Sequence, residues 1–304
     1  ADLPLSVAGM TVNRFCGSSM SSVHIAAGQI QLGAGEVFIC AGVESMSRVP
    51  MMGFNPLPNA ELAKKTAAYL GMGDTAENVA TKYQISRAQQ EAFAVASQDK
   101  AASAIAAGKL EAEIVPIPTK AGIVDKDGTP RPGTTVEALA GLKPAFAQEG
   151  TVTAGTSSPL TDGASAVLIA SEDYALANGL PILARIKSVA VSGCQPEIMG
   201  IGPVEASRKA LGRAGLDVGQ LDIVELNEAF ASQSLACISD LGLDVDKVNV
   251  DGGAIAIGHP LGATGARIVG KAAALLKREG GKYALATQCI GGGQGIATVL
   301  EAAE

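Results

Sequence analysis

Apolar positions along this chain follow two rhythms, and the switches between them lay out a layered α/β protein. Tyr283-Ala-Leu-Ala-Thr-Gln288 and Glu36-Val-Phe-Ile-Cys-Ala-Gly42 are short apolar runs bounded by glycine-rich turns, the pattern of buried strands. Ala164–Ala170, Leu183–Val191, Ile223–Leu226 and Gly295–Leu300 also read as strands. Helices are predicted from the Cys16-Gly17 turn to about Leu32, and over Val204–Ala214, Glu228–Leu241 and Gly262–Arg278. Gly33 and Gly35 close the first of these.

The middle of the chain changes character. Met51-Met-Gly-Phe-Asn-Pro-Leu-Pro58 is loop-like, and Thr75-Ala-Glu-Asn-Val-Ala80 begins a short helix. Ser86-Arg-Ala-Gln89 has the spacing of a capping box and opens a long helix to about Ala107. From Pro116 to Pro144 the chain is rich in Pro, Gly, Thr and Asp with little periodicity; so long a loop is usually functional.

The last part of the chain resembles the first. Gly258-His-Pro-Leu-Gly-Ala-Thr-Gly265 enters a helix, then a strand, then a tight glycine segment. Cys16-Gly-Ser-Ser enters a helix, then the strand Val37–Ala41, then Gly42. This predicts a duplicated unit. About 80 residues, from roughly Leu180, precede the turn in the second copy, whereas 15 precede Cys16. By that arithmetic about 65 residues of the first copy are expected to lie elsewhere.

Composition narrows the class. The chain is 47% hydrophobic with 3% aromatics, no Trp and 37 Gly, which suits a soluble α/β fold of small aliphatic side chains. A net charge of −7 argues against nucleic acid and anionic membrane surfaces, and leaves an anionic substrate needing a local cation. No apolar run approaches the roughly 18 residues of a membrane span. Five cysteines without a C-x-x-C pair point to a reducing compartment rather than a disulfide framework. Two histidines and no ligand cluster give no reason to expect a metal. Ala1-Asp-Leu-Pro carries no signal-like stretch, so a targeting signal is not legible here.

Four positions could carry chemistry. Cys289 ends an apolar strand and is followed by Ile-Gly-Gly-Gly-Gln-Gly295, whose bare backbone donors could hold an oxyanion beside a thiol. Cys16 stands at or just before a helix N-terminus, where free N–H groups and the helix dipole favour a thiolate; the alternative is a structural buried cysteine. His259 sits on a tight turn stiffened by Pro260 and could serve as base for a nearby thiol, or be an ordinary turn histidine. Asn227, between a strand and a helix, reads by itself as an N-cap. His24 reads as structural, and Cys40, Cys194 and Cys237 as core. No G-x-x-x-x-G-K-[ST] or strand-borne G-x-G-x-x-G supports a nucleotide loop.

Together the motifs Asn13-Arg-Phe-Cys16-Gly-Ser-Ser-Met20, Asn227-Glu-Ala-Phe230, Gly252-Gly-Ala-Ile-Ala-Ile-Gly-His259-Pro-Leu-Gly-Ala-Thr-Gly-Ala-Arg267 and Cys289-Ile-Gly-Gly-Gly-Gln-Gly295 resemble the thiolase family. Arg-Phe before Cys16 and Gly-Ser-Ser-Met after it look most like bacterial degradative 3-ketoacyl-CoA thiolases. The resemblance implies duplicated α/β halves in a layered αβαβα core with an inserted loop domain, and a first half truncated at its amino terminus. The halves would be 1–44 with 151–178, and 179–304; the inserted CoA-binding loop domain would be 45–150. It also implies thiolytic cleavage of 3-ketoacyl-CoA to acetyl-CoA and a shortened acyl-CoA in fatty-acid β-oxidation.

The roles follow residue by residue. Cys16 would be the acylated nucleophile, His259 its base, and Cys289 the thiol that moves the second proton. One oxyanion hole would comprise His259 and a water held by Asn227; the other, the backbone N–H groups of Cys16 and Gly291. Arg131 and Ser158 would contact the adenine and pantetheine ends of coenzyme A, a co-substrate rather than a resident cofactor. Met72, Met199 and Phe230 would line the acyl pocket. The expected partners are acyl-CoA and CoA, a second copy in a homodimer or homotetramer, and possibly the α subunit of a β-oxidation complex or a separate amino-terminal piece. The setting would be cytoplasmic. Two departures stand out, the first bearing on the subtype and the second on the pantetheine contact of Ser158. Gly71 stands where biosynthetic thiolases carry His, and Pro159 follows Ser158 where Gly or Ala is usual. An acetoacetyl-CoA-forming enzyme, a decarboxylating ketoacyl synthase and an inert thiolase-fold fragment are the alternatives.

Overall fold

The computed structural model describes residues 2–303. Ten helices and eight strands are assigned among them. In chain order they are α1 (Ser18–Gln31), β1 (Val37–Ser45), α2 (Ala60–Lys65), α3 (Met72–Lys82), α4 (Arg87–Ala106), β2 (Ile117–Thr119), β3 (Gly122–Val124), α5 (Val136–Ala140) and β4 (Asp162–Ala170). Then follow α6 (Glu172–Ala177), β5 (Ala184–Gly193), α7 (Gly202–Ala214), β6 (Ile223–Leu226), α8 (Ala231–Leu241), α9 (Ala254–Ile257), α10 (Leu261–Glu279), β7 (Tyr283–Ile290) and β8 (Gln294–Ala302). No helix of the described residues is long and apolar enough to cross a membrane.

The larger sheet has the order β5-β8-β7-β6, with β6 parallel to β7 and the other pairs antiparallel. Its apolar runs are continuous because both faces are covered. Ala284 and Ala286 face a cluster formed with Ile268, Val269, Ala272 and Leu275 of α10, while Leu285 faces Val204, Ala210 and Leu211 of α7. The period-two alternation of a strand thus feeds two cores at once. On that face α1 lies beside α10, and both pack in turn on the two-stranded sheet β1–β4. These are four successive layers of the expected αβαβα order.

The duplication is visible in the connections. α10 leads to β7, which returns antiparallel as β8 through three glycines, Gly291 to Gly293. α1 leads to β1, which pairs antiparallel with β4 from Val37↔Ala170 to Ser45↔Asp162. Residues 46–161 therefore stand where the second copy has a three-residue turn. Gly292 and Gly293 both have positive φ, 80° and 88°, which the tight turn requires and glycine alone adopts without strain.

Several predicted boundaries shift. The helix expected from Glu228 begins at Ala231, because Phe230 is extended (φ −146°, ψ 147°) and Gln233 accepts its N–H at 3.3 Å. Asn227 is consequently not an N-cap. The helix expected at Thr75 begins at Met72, where Gly71 O accepts from Thr75 N. The 116–144 loop contains the β2–β3 hairpin and α5, elements too short for periodicity to reveal. The capping box at Ser86 is formed as predicted.

Candidate active site

The site is assembled at two helix N-termini. α1 and α10 cross at their first turns, where Gly265 lies so close to Met20 that an added Cβ would overlap its backbone nitrogen. Ala266 N–H donates to Ser19 Oγ across the same crossing at 2.9 Å. Cys16 and His259 stand just ahead of these two helices, so one close approach positions both. Glu44, at the end of β1, accepts from Gly262 N–H at 3.0 Å and caps the start of α10.

Cys16 is presented by a strained turn. Phe15 has a φ of 47°, unusual for a bulky residue, and is held there by local side chains. Asn13 Oδ1 accepts from Phe15 N–H at 3.0 Å, and Ser18 Oγ accepts from Arg14 N–H at 2.9 Å while donating to Phe15 O. Gln288, next to Cys289, donates its side-chain amide to Cys16 O and ties the turn to β7.

The thiolate expected from the helix dipole does not form at rest. Burial pushes the Cys16 thiol up to about 11, and the nearby Glu44 carboxylate adds to this. The backbone amides of Gly291 and of Cys16 itself act on the sulfur in the opposite direction. These are the two donors assigned by resemblance to an oxyanion hole, and both reach the nucleophile's surroundings. Cys289 is 1% exposed and its thiol lies well above the ordinary value, through burial first and then the neighbouring sulfur of Cys16.

His259 is also buried, and burial lowers its pKa to about 3, with the Arg267 charge adding to the effect. The imidazole is therefore neutral. Its Nδ1 lies 2.7 Å from Thr264 Oγ1, and its backbone N–H donates to Thr161 Oγ1 at 3.1 Å. Asn227 Nδ2 lies 3.4 Å from each ring nitrogen, which sets the amide against the ring. Asn227 Oδ1 is buried and makes no hydrogen bond.

The extended segment 227–230 that carries Asn227 is pinned from both sides. Asn227 N–H donates to Thr287 O of β7 at 3.0 Å. Asn249, itself at φ 47°, accepts from Leu226 N–H and donates to Leu226 O, acting as a substitute strand. The buried Glu228 carboxylate accepts from Ser97, Asn249 and Ile255 N–H. None of these anchors announced itself in the sequence, because each joins residues more than 20 positions apart.

The other candidates separate into two groups. Met72, Met199 and Phe230 pack with Cys289, Ala76, Val152 and Ala229 in one apolar cluster. Phe146, which sequence reasoning missed, meets Phe230 edge-on with ring centroids 5.9 Å apart. Ser158 is half-buried and donates its N–H to Ala229 O, which sets it beside the Asn227 segment. Arg131 is exposed and linked through the scaffold: its N–H donates to Gln98 Oε1, and Gln98 donates to Ile255 O. His24 donates to or accepts from Thr298 Oγ1 at 2.9 Å, in keeping with a structural role. Cys40 and Cys237 are core, whereas Cys194 is only half-buried, because it begins the Gln195–Pro196 loop rather than lying inside a strand.

Comparison with known proteins agrees with this geometry. A profile for the N-terminal domain of thiolase matches residues 1–173, and one for its C-terminal domain matches residues 180–302. A 3-ketoacyl-CoA thiolase of Bacillus subtilis (strain 168) is 48% identical over 99% of this chain and 81% of its own length. One from Shewanella denitrificans is 52% identical over 99% and 80%. An acetyl-CoA acetyltransferase of Pseudomonas aeruginosa is 48% identical over 99% and 81%. The crystal structure of human mitochondrial 3-ketoacyl-CoA thiolase superposes with a TM-score of 0.92 at 43% identity, over 100% of this chain and 81% of that one. The same enzyme in complex with CoA superposes with a TM-score of 0.91. Both halves of the chain are matched in order and at high identity, and the chain belongs to the thiolase family.

Proposed function

We propose that this chain cleaves 3-ketoacyl-CoA with free CoA, giving acetyl-CoA and an acyl-CoA two carbons shorter. The observation that carries the reading is the convergence on one buried sulfur: the Gly291 and Cys16 amides bear on Cys16, with Cys289 beside it. In the first half-reaction His259 takes the Cys16 proton as the sulfur bonds to the 3-keto carbon. The bond between the second and third carbons breaks, and the acetyl-CoA enolate leaves with a proton from Cys289. In the second, the Cys289 thiolate takes the proton of free CoA, whose sulfur attacks the acyl carbon. Cys16 leaves as thiolate and recovers its proton from His259.

Each tetrahedral state needs a place for its oxyanion. The Gly291 and Cys16 amides provide one. His259, once it holds the Cys16 proton, and a water held by Asn227 provide the other, and the unpartnered Asn227 Oδ1 supports a water there. Met72, Met199, Phe230 and Phe146 form the apolar wall suited to an acyl chain. In this reading 45–150 is the loop domain that receives CoA, with Arg131 toward its anionic end and Ser158 toward its pantetheine. CoA is then a transient co-substrate, and the enzyme works as a homodimer or homotetramer.

The test is product analysis. Incubated with a 3-ketoacyl-CoA and CoA, the protein should yield equal amounts of acetyl-CoA and the shortened acyl-CoA. Consumption of malonyl-CoA without thiolysis would instead indicate a condensing synthase. The identity to an acetyl-CoA acetyltransferase supports a second reading, acetoacetyl-CoA formation. A substrate series from four carbons upward separates the two, since the degradative reading predicts turnover of the longer chains.

A further inference from the structure

A neutral imidazole has two nitrogens, and only the one without a proton can act as a base. For His259 the choice is made by the chemistry around Nδ1. Thr264 Oγ1 lies 2.7 Å from that nitrogen. Thr264 stands in the first turn of α10, and its hydroxyl has Pro260 O, four residues back, as an acceptor at 3.1 Å. When the proton goes to that carbonyl, Oγ1 offers Nδ1 a lone pair and accepts from it. The backbone of the same residue is held in the same way. His259 N–H donates to Thr161 Oγ1 at 3.1 Å, and the Thr161 hydroxyl donates to Pro159 O at 2.6 Å. Two threonine hydroxyls, each with a carbonyl within reach of its proton, thus grip His259 at the main chain and at the ring.

Other neighbours do not make the choice. Asn227 Nδ2 is 3.4 Å from both ring nitrogens and favours neither. Arg267, the charge that acts on this ring, works against a second proton and not on the position of the first. We propose that Thr264 is a positioning residue that locks His259 in the Nδ1–H tautomer and leaves Nε2 as the proton acceptor. Without the Thr264 hydroxyl the ring is free to carry its proton on Nε2. That form has no lone pair on the nitrogen left for the nucleophile, so acylation would wait on tautomer exchange. The proposal rests on the thiolase reading for its kinetic consequence, whereas the tautomer is a property of the resting protein.

The chain has two histidines, so the two-bond proton–nitrogen spectrum of the intact protein labelled with 15N-histidine is simple to read. His24→Asn assigns the remaining signals to His259. At neutral pH wild type should show a protonated Nδ1 and a bare Nε2. Thr264→Val, which keeps the shape without the hydroxyl, should shift the ring toward the Nε2–H form. It should also slow acylation by about ten- to a hundredfold, part of what a positioned base contributes, with KM little changed. Thr264→Ser should restore both tautomer and rate. An Nε2–H ring in wild type overturns the proposal, as does a Thr264→Val protein that keeps the Nδ1–H form. If Thr264→Val does not fold, the wild-type spectrum still decides. If the Nε2–H form is found while thiolysis proceeds, this proposal alone falls; if the chain does not thiolyse its substrate, the spectrum still reports the tautomer.

Discussion

Cys16, Cys289 and His259 share one physical condition: all are buried, and burial drives each toward its uncharged form. Nothing in the resting site is a thiolate–imidazolium pair, so charge appears only as bonds are made. The imidazole accepts protons across the range above about 3, and the Cys16 thiol holds its own up to about 11. The rate of acylation at low substrate should therefore be flat between about pH 5 and 9, with no inflection near the ordinary imidazole value. Stopped-flow release of acetyl-CoA across that range checks this, and a limb near 6.5 would contradict it. At this scale the sequence was informative about identity and not about charge state. The motifs name the two thiols and the imidazole. The helix N-terminus next to Cys16 suggested a lowered pKa, but burial comes from elements far away in the chain and outweighs the dipole. Asn227 is ambiguous in the sequence for the same kind of reason, since the ring its amide meets belongs to a residue 32 positions on.

Helices α1 and α10 are the elements that make a site out of these residues. Their crossing depends on a missing side chain, because Gly265 packs directly on the backbone of Met20. Gly265→Ala should force the helices apart and lower stability by roughly 1–3 kcal/mol, the usual cost of overpacking. Activity should fall further than stability, since Cys16 and His259 move apart together. Thermal unfolding and turnover measured on the same sample check this; an unchanged melting temperature would show that the crossing tolerates a methyl group. The two helices were legible from periodicity, and so were the strands that follow them. Their crossing was not, since the glycine that permits it reads as one more small residue in a glycine-rich turn. The short elements of the 116–144 segment were also illegible, as two three-residue strands contain too few alternations to count. The late start of α8 follows from Phe230, whose extended backbone is set by Ser157 and Gln233 rather than by local propensity.

Across the whole molecule, two buried carboxyls near α10 differ: one is matched by cations at hydrogen-bond distance and the other is not. Asp251, 2% exposed, meets Lys271 at 2.6 Å and Arg278 through two bonds of 2.7 and 2.8 Å. Burial raises its carboxyl, but those cations bring it below the ordinary range. Glu225 of β6 is different. Burial raises its pKa to about 8 despite the charges of Arg267 and Lys271, and its Oε1 makes no hydrogen bond. A folded-state pKa above the unfolded value of about 4.5 stabilises the fold fully below that value and loses its contribution as the pH rises through about 8. Glu225→Gln should flatten the fall in denaturant stability between about pH 5 and 9. An equally steep fall in the variant would place the titrating group elsewhere.

The central claim, that one buried sulfur carries the acyl group between two CoA thioesters, has a direct test. The protein is mixed with a 3-ketoacyl-CoA in the absence of free CoA, quenched in acid, and examined by intact and peptide mass spectrometry. The predicted result is a single acyl group, two carbons shorter than the substrate chain, on the peptide that contains Cys16. An acyl group on Cys289 or any other residue, or release of acetyl-CoA by a Cys16→Ala protein, would contradict it.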